Sequence, residues 1–174
     1  MWSLCQFALA EDVLSTAEKE LNRQQQLLFA RPDPAYWIGL QITDYFSETI
    51  RAEEGALYPK DERRERYADI DVRVGDLSFD NTHPLRDSGS IAEDIHFGVS
   101  LPLSDPPAAL QTHLWKEMDK AYRHSVRRLV KLRSNDVLKV EMDDQSSDFS
   151  LYPAVVDIRP LHDHALSPED RKYW

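Results

Sequence analysis

The residues of this chain best suited by type and spacing to do chemistry are His113, Glu117 and His124. Spacings of four and seven set all three near one face of a helix, where two imidazoles and a carboxylate would suit a divalent metal. His113 and His124 would be separated by about 16 Å along the helix axis, too far to share one ion. His113 and Glu117 therefore remain the metal candidates, against the plainer reading of a surface i,i+4 pair. His162-Asp163-His164 is a second candidate. Alternate side chains of an extended chain point to opposite sides, so a loop after Pro160 is the simpler account there. Asp80-Asn81-Thr82-His83 is the third. It reads as a catalytic loop or, more simply, as a turn held by its own Asp and Asn side chains.

The sequence holds no glycine-rich phosphate loop and no nucleophile elbow, and no histidine is followed by glutamate. Cys5 is the only cysteine, so no internal disulfide is possible. With 21 Lys+Arg against 31 Asp+Glu, the formal charge is −10. Such a charge repels phosphate backbones, and no basic stripe with interleaved aromatics counters it, so nucleic acid is not an expected partner. No run approaches the roughly 20 apolar residues of a membrane span.

These residues must be positioned by a small set of elements. A chain of 174 residues is expected to form one domain, here 11–160. The centre of the pattern is Tyr67–Gly75. Ala68, Ile70, Val72 and Val74 fall on one side, and Asp69, Asp71 and Arg73 on the other. That is the alternation of a half-buried strand. Ala35–Thr43 is a second strand and Ser47–Leu57 a weaker third, with Gly55 interrupting it. The charged Lys60–Arg66 reads as a solvated turn or the start of an edge strand. Phe97–Leu101 is a short strand candidate, and Ala154–Arg159 another.

Glu11–Ala30 is expected to be helical, with Val13, Leu14, Ala17, Leu21, Leu27 and Leu28 inward and Gln24–Gln26 in solvent. Ser104-Asp105-Pro106 starts a long helix to about Arg133, with a stripe of Leu110, Leu114, Met118, Ala121, Tyr122, Val126 and Leu129. The expected fold class is therefore α+β: an antiparallel β-meander, a long helix packed on one face, and an amino-terminal helix. Met1–Ala10 is an apolar lead ending Ala8-Leu9-Ala10. It fits a signal-peptide remnant, a lead-in to the first helix, or a cloning residue. Residues 161–174 are a tail in which Ser167-Pro168-Glu169-Asp170 has the chemistry of a helix start.

Taken together, Asp69, Asp71, Arg73, Gly75, Asp76 and the run Asp80-Asn81-Thr82-His83 resemble the amino-terminal region of a bacterial branch of the TldD/PmbA family. The Tyr36-Trp37-Ile38 strand, Gly55-Ala56-Leu57, Leu101-Pro102-Leu103, Leu114-Trp115, Ala121-Tyr122, Asp148-Phe149-Ser150 and Pro153-Ala154-Val155 follow in the same order. The family comprises zinc-dependent proteases and inactivated homologues. The resemblance implies an α+β domain that supports a peptide-binding cavity by strand addition, with a carboxy-terminal continuation. It also implies export. The family's zinc site, a His-Glu-x-x-x-His helix with a distant cysteine, has no counterpart here, so the resemblance implies no catalytic residue and no cofactor in this chain. The expected role is a non-catalytic amino-terminal domain, with peptide or the missing carboxy-terminal part as partner. The alternative is a free-standing interaction module that dimerises or pairs with a separate catalytic chain.

Overall fold

Strand chemistry and helix phase together build one sheet with two helices against it. The computed structural model describes residues 3–83, 98–103, 107–136, 147–153 and 155–157, with backbone alone for 3–12 and 135–136. Helix α1 is Ser3–Phe29, strand β1 Ala35–Thr49, β2 Ala52–Glu53, β3 Ala56–Leu57, β4 Asp61–Val74, β5 Val99–Ser100 and helix α2 Pro107–Asp136. The main sheet is antiparallel with order β1-β4-β5, and β2 and β3 form a separate two-residue ladder. Tyr67 pairs with Ser100 and Ala68 with Val99. The fold is α+β, with an amino-terminal helix and a long helix as expected.

By contact density the chain divides into two units, Met1–Tyr45 with Arg64–Ser150 and Phe46–Arg63 with Leu151–Trp174. In the first, the alternation of β4 is realised. Ala68, Val72 and Val74 are buried and Ile70 half-buried, while Asp69 and Asp71 face solvent. Two apolar clusters result. One joins Leu28, Ala35, Ile38, Val72, Val74, Tyr122 and Leu129. The other joins Ala17, Ala68, Leu101, Leu110, Leu114 and Met118. The α2 stripe therefore lies inward as its spacing predicts, and the two helices also pack on each other.

In the second unit, Tyr58 N–H donates to Arg51 O at 2.8 Å, and the Arg51 guanidinium lies 4.9 Å from the centre of the Tyr58 ring. Ala52 pairs with Leu57 and Glu53 with Ala56. Glu54 and Gly55 both take positive φ, the backbone of a tight hairpin turn.

Four expectations change. Ser47–Leu57 is not one strand: Ser47–Thr49 ends β1, and the two-residue turn at Glu54-Gly55 folds the rest back. Lys60–Arg66 takes the strand alternative from Asp61 onward, but Arg66 is not solvated: it is buried because Asp44 takes its guanidinium at 2.5 and 3.1 Å and Pro102 O accepts a third bond. In α1, Leu14 and Leu27 are exposed, whereas Gln24, expected in solvent, is buried. The inward face runs Ala17, Glu20, Gln24 and Leu28, and Gln24 donates to the buried Glu20 carboxylate at 2.8 Å. Residues 155–157, expected to be strand, have no regular structure. The capping residues 104–106, most of the loop between Asp80 and Ser104, and the tail 161–174 lie outside the described residues.

Burial disfavours charge on Glu20, but hydrogen bonds from Arg23, Gln24 and Gln111 outweigh it and hold its pKa below the ordinary 4.5. A depressed carboxylate stabilises the fold above its unfolded pKa and loses that contribution as pH falls through the folded value. Glu20→Gln should therefore cost about 1–3 kcal/mol at neutral pH. The deficit should shrink below pH 4.5, as read from urea midpoints across pH. Leu114→Ala, at a fully buried site, should cost about 2–5 kcal/mol in the same measurement.

Candidate functional site

The end of β4 is where the polar residues singled out by the sequence converge. Gly75 has φ +118°, and a Cβ there would lie 2.5 Å from Phe79 O, so the turn out of β4 requires glycine. Asp76 then caps the loop. Its Oδ1 accepts from Ser78 Oγ at 2.5 Å and from the N–H groups of Ser78 and Phe79 at 2.9 and 3.0 Å. Those bonds, the Ser78 hydroxyl first, lower its pKa. The loop returns with Asp80 bridged to Gly75.

Asp80 is fully buried. Its Oδ1 accepts from Thr82 N–H and Oγ1, both at 2.6 Å. Its Oδ2 accepts from Tyr36 OH at 2.5 Å and Arg73 Nη1 at 3.1 Å. Burial opposes charge on Asp80, but these donors outweigh it and keep its pKa below the ordinary 3.8. Burial, and then the carboxylate beside it, push the Tyr36 hydroxyl up, so it stays a donor.

Asn81 takes up backbone groups at the end of β4. Its Oδ1 accepts from Val74 N–H at 2.7 Å, its Nδ2 donates to Val72 O at 3.3 Å, and its own N–H donates to Val74 O at 3.2 Å. Helix α2 closes the other side. Ser125 Oγ donates to Val72 O at 2.7 Å, and Arg128 Nε donates to Asn81 O.

The segment 147–150 joins through Asp148 and Phe149. Asp148 Oδ2 accepts from Asp80 N–H at 2.9 Å, and its Oδ1 lies 2.8 Å from His83 Nδ1. Phe149 N–H donates to Leu77 O at 3.1 Å. The Phe149 ring packs against Trp37 and Tyr36, with the Arg73 guanidinium 4.3 Å from its centre and 5.6 Å from that of Trp37. Trp37 in turn lies across Gly39, where its indole occupies the place of a side chain.

Arg73, Gly75, Asp76, Asp80, Asn81, Thr82 and His83 are thus one connected clasp. Asp69 and Asp71 are not part of its centre. They line an open cavity of about 680 Å³ beside it, with Trp37, Gly39, Gln41, Asn81, Thr82, His124 and Arg128. Asp71 also pairs with Arg73 at 3.3 Å. The polar turn is the reading of Asp80–His83 that this geometry supports: every side chain of the four is engaged in holding chain to chain.

His113, Glu117 and His124 all lie on α2. His113 is exposed, Glu117 accepts from Lys120 Nζ at 3.3 Å, and His124 lines the cavity instead. Among the described residues no group of three or more His, Cys, Asp or Glu side chains is arranged to hold a metal ion. His162, Asp163 and His164 lie outside the described residues. Sequence reasoning missed the roles of Tyr36, Ser125, Arg128 and Asp148. Their one signal is residue type, since each comes from a distant part of the chain. No family model, curated protein or solved structure matches the chain.

Removing the buried acceptor leaves the Arg73 guanidinium and Tyr36 hydroxyl without it. Asp80→Ala should cost about 3–5 kcal/mol in chemical denaturation. It should also speed amide exchange at residues 148 and 149, which Asn81→Ala should do less.

Proposed function

We propose that this chain is a non-catalytic docking domain that accepts an extended stretch of polypeptide along the outer edge of β1. The observation that carries this is the state of that edge. Among the described residues β1 pairs with β4 alone, so over Ala35–Tyr45 one row of backbone donors and acceptors has no strand partner. Edge strands of that length are ordinarily guarded by lysine, proline or inward charge. Within Ala35–Thr49 the only charged residues are Asp44 and Glu48. Arg66 neutralises the first, and Lys60 lies 3.1 Å from the second. Main-chain pairing along such an edge gives affinity, and alternate side-chain positions give selectivity.

The likeness of Asp69–Asp76 and Asp80–His83 to amino-terminal regions of TldD/PmbA proteins supports the same reading, as the peptide-supporting part of a longer metalloprotease homologue. The clasp fits it too. It fixes the start of β1 through Tyr36 and Trp37, so the edge is presented rigidly rather than ordered on binding.

The test uses reduced, carboxymethylated α-lactalbumin as an unfolded polypeptide. It should slow hydrogen exchange of amides in residues 36–43. Gln41→Lys with Thr43→Lys, two exposed positions on one face, should abolish that protection without unfolding the domain. Hydrolysis of the polypeptide by the purified chain, or unchanged exchange in β1, overturns the proposal.

A further inference from the structure

Helix α2 carries charge of the opposite sign to the rest of the chain. Pro107–Asp136 holds seven Lys and Arg against three Asp and Glu, a formal charge of +4. The whole chain stands at −10, so its other residues come to −14. Lys116, Lys120, Arg123, Arg127 and Lys131 follow one another at steps of three or four, so they share one face. All five are exposed, whereas Arg128, next to Arg127 in sequence, turns in to Asn81 O. From Lys116 to Lys131 this ridge is about 22 Å long.

The needs of the helix itself do not account for the ridge. The macrodipole favours cations in the last turn alone, and the one there is Arg133. Like charges three and four residues apart weaken a helix, and from Lys120 to Asn135 no acid separates them. The two acids near the start of the ridge are already engaged. Glu117 meets Lys120 at 3.3 Å, and Asp119 is shared by Arg123 and Arg31. Two acids against five cations leave the ridge positive. A local rule broken without a gain to the fold is the mark of a functional surface.

We propose that the outward ridge of α2 is a docking surface for a short acidic stretch of a partner polypeptide. The proposal is independent of the reading of β1 as an edge. Charge complementarity selects an acidic partner, and size selects a polypeptide among the acidic ones. A bilayer or a long nucleic-acid strand extends well past the ridge, and the negative charge of the remaining chain repels it. An extended polypeptide of about seven residues matches the ridge in length and need meet little else. The ridge also carries no aromatic side chain at its five cationic positions on which bases could stack.

Fluorescence anisotropy of a labelled heptaglutamate peptide, titrated with the full chain, tests this. The peptide should bind at low salt and be released as salt is added. Lys116→Glu with Arg127→Glu should weaken binding about tenfold or more. The urea midpoint of that variant should hold or rise, because each change sets an acid four residues from a cation. Arg63→Glu with Arg64→Glu makes the same change of charge at exposed positions of β4 and should leave binding within about twofold. Absence of heptaglutamate binding at low salt overturns the proposal. So does binding that the α2 variant leaves intact, or that both variants weaken equally. Tighter binding of oligouridylate or of phosphatidylserine vesicles overturns it as well, by making the partner a nucleic acid or a membrane.

Discussion

The buried carboxylate of Asp80 is the constraint on which the rest of this structure depends. A charge at that depth is tolerated only when its lone pairs are filled. Here Tyr36, Arg73 and Thr82 fill them, and they come from the start of β1, the end of β4 and the loop itself. Satisfying one group therefore fixes three parts of the chain relative to one another. Asp148 extends the same logic by accepting the Asp80 N–H and meeting His83. A polar network of this kind contributes through specificity of arrangement as much as through energy. One buried donor, Arg73 Nε, makes no hydrogen bond in it and faces Asp71 Oδ2 at 3.3 Å.

The helices impose a second constraint of the same kind. Glu20 and Gln24 lie on the inward face of α1, where burying them alone would be costly. Their mutual bond, with Arg23 at 2.5 and 2.9 Å, makes that face tolerable. The apolar clusters on either side then supply the main burial. Ile70 and Leu21 touch both, so sheet and helices share one core rather than two.

Rigidity at one end of the sheet contrasts with what β1 leaves open. The clasp uses the first residues of β1, and β4 uses its inner edge. The outer edge is left without the usual guards, and its two acids are neutralised from within each unit. A strand fixed in position with its edge unguarded is suited to receiving another strand. That combination, more than any cluster of reactive groups, is what points to docking.

Much of the frame is legible in local pattern. Period-two alternation marks β4, and the α2 stripe marks its buried face, because both depend on neighbours a few residues apart. Gly75 and Asp76 are readable as a turn for the same reason. Local pattern fails where a distant partner decides. Gln24 reads as solvated until Glu20 is seen to be buried, and Arg66 reads as surface charge until Asp44 is placed beside it. Val155 and Val156 read as strand, but a strand needs a neighbour, and among the described residues none pairs with them. The sequence by itself therefore determined the two long helices, the β4 strand, the α+β class and the polar character of Asp80–His83. Tertiary structure alone decided that those four residues form a clasp with Tyr36, Arg128 and Asp148, because a buried charge is satisfied by whatever donors the fold brings to it, across any separation in sequence.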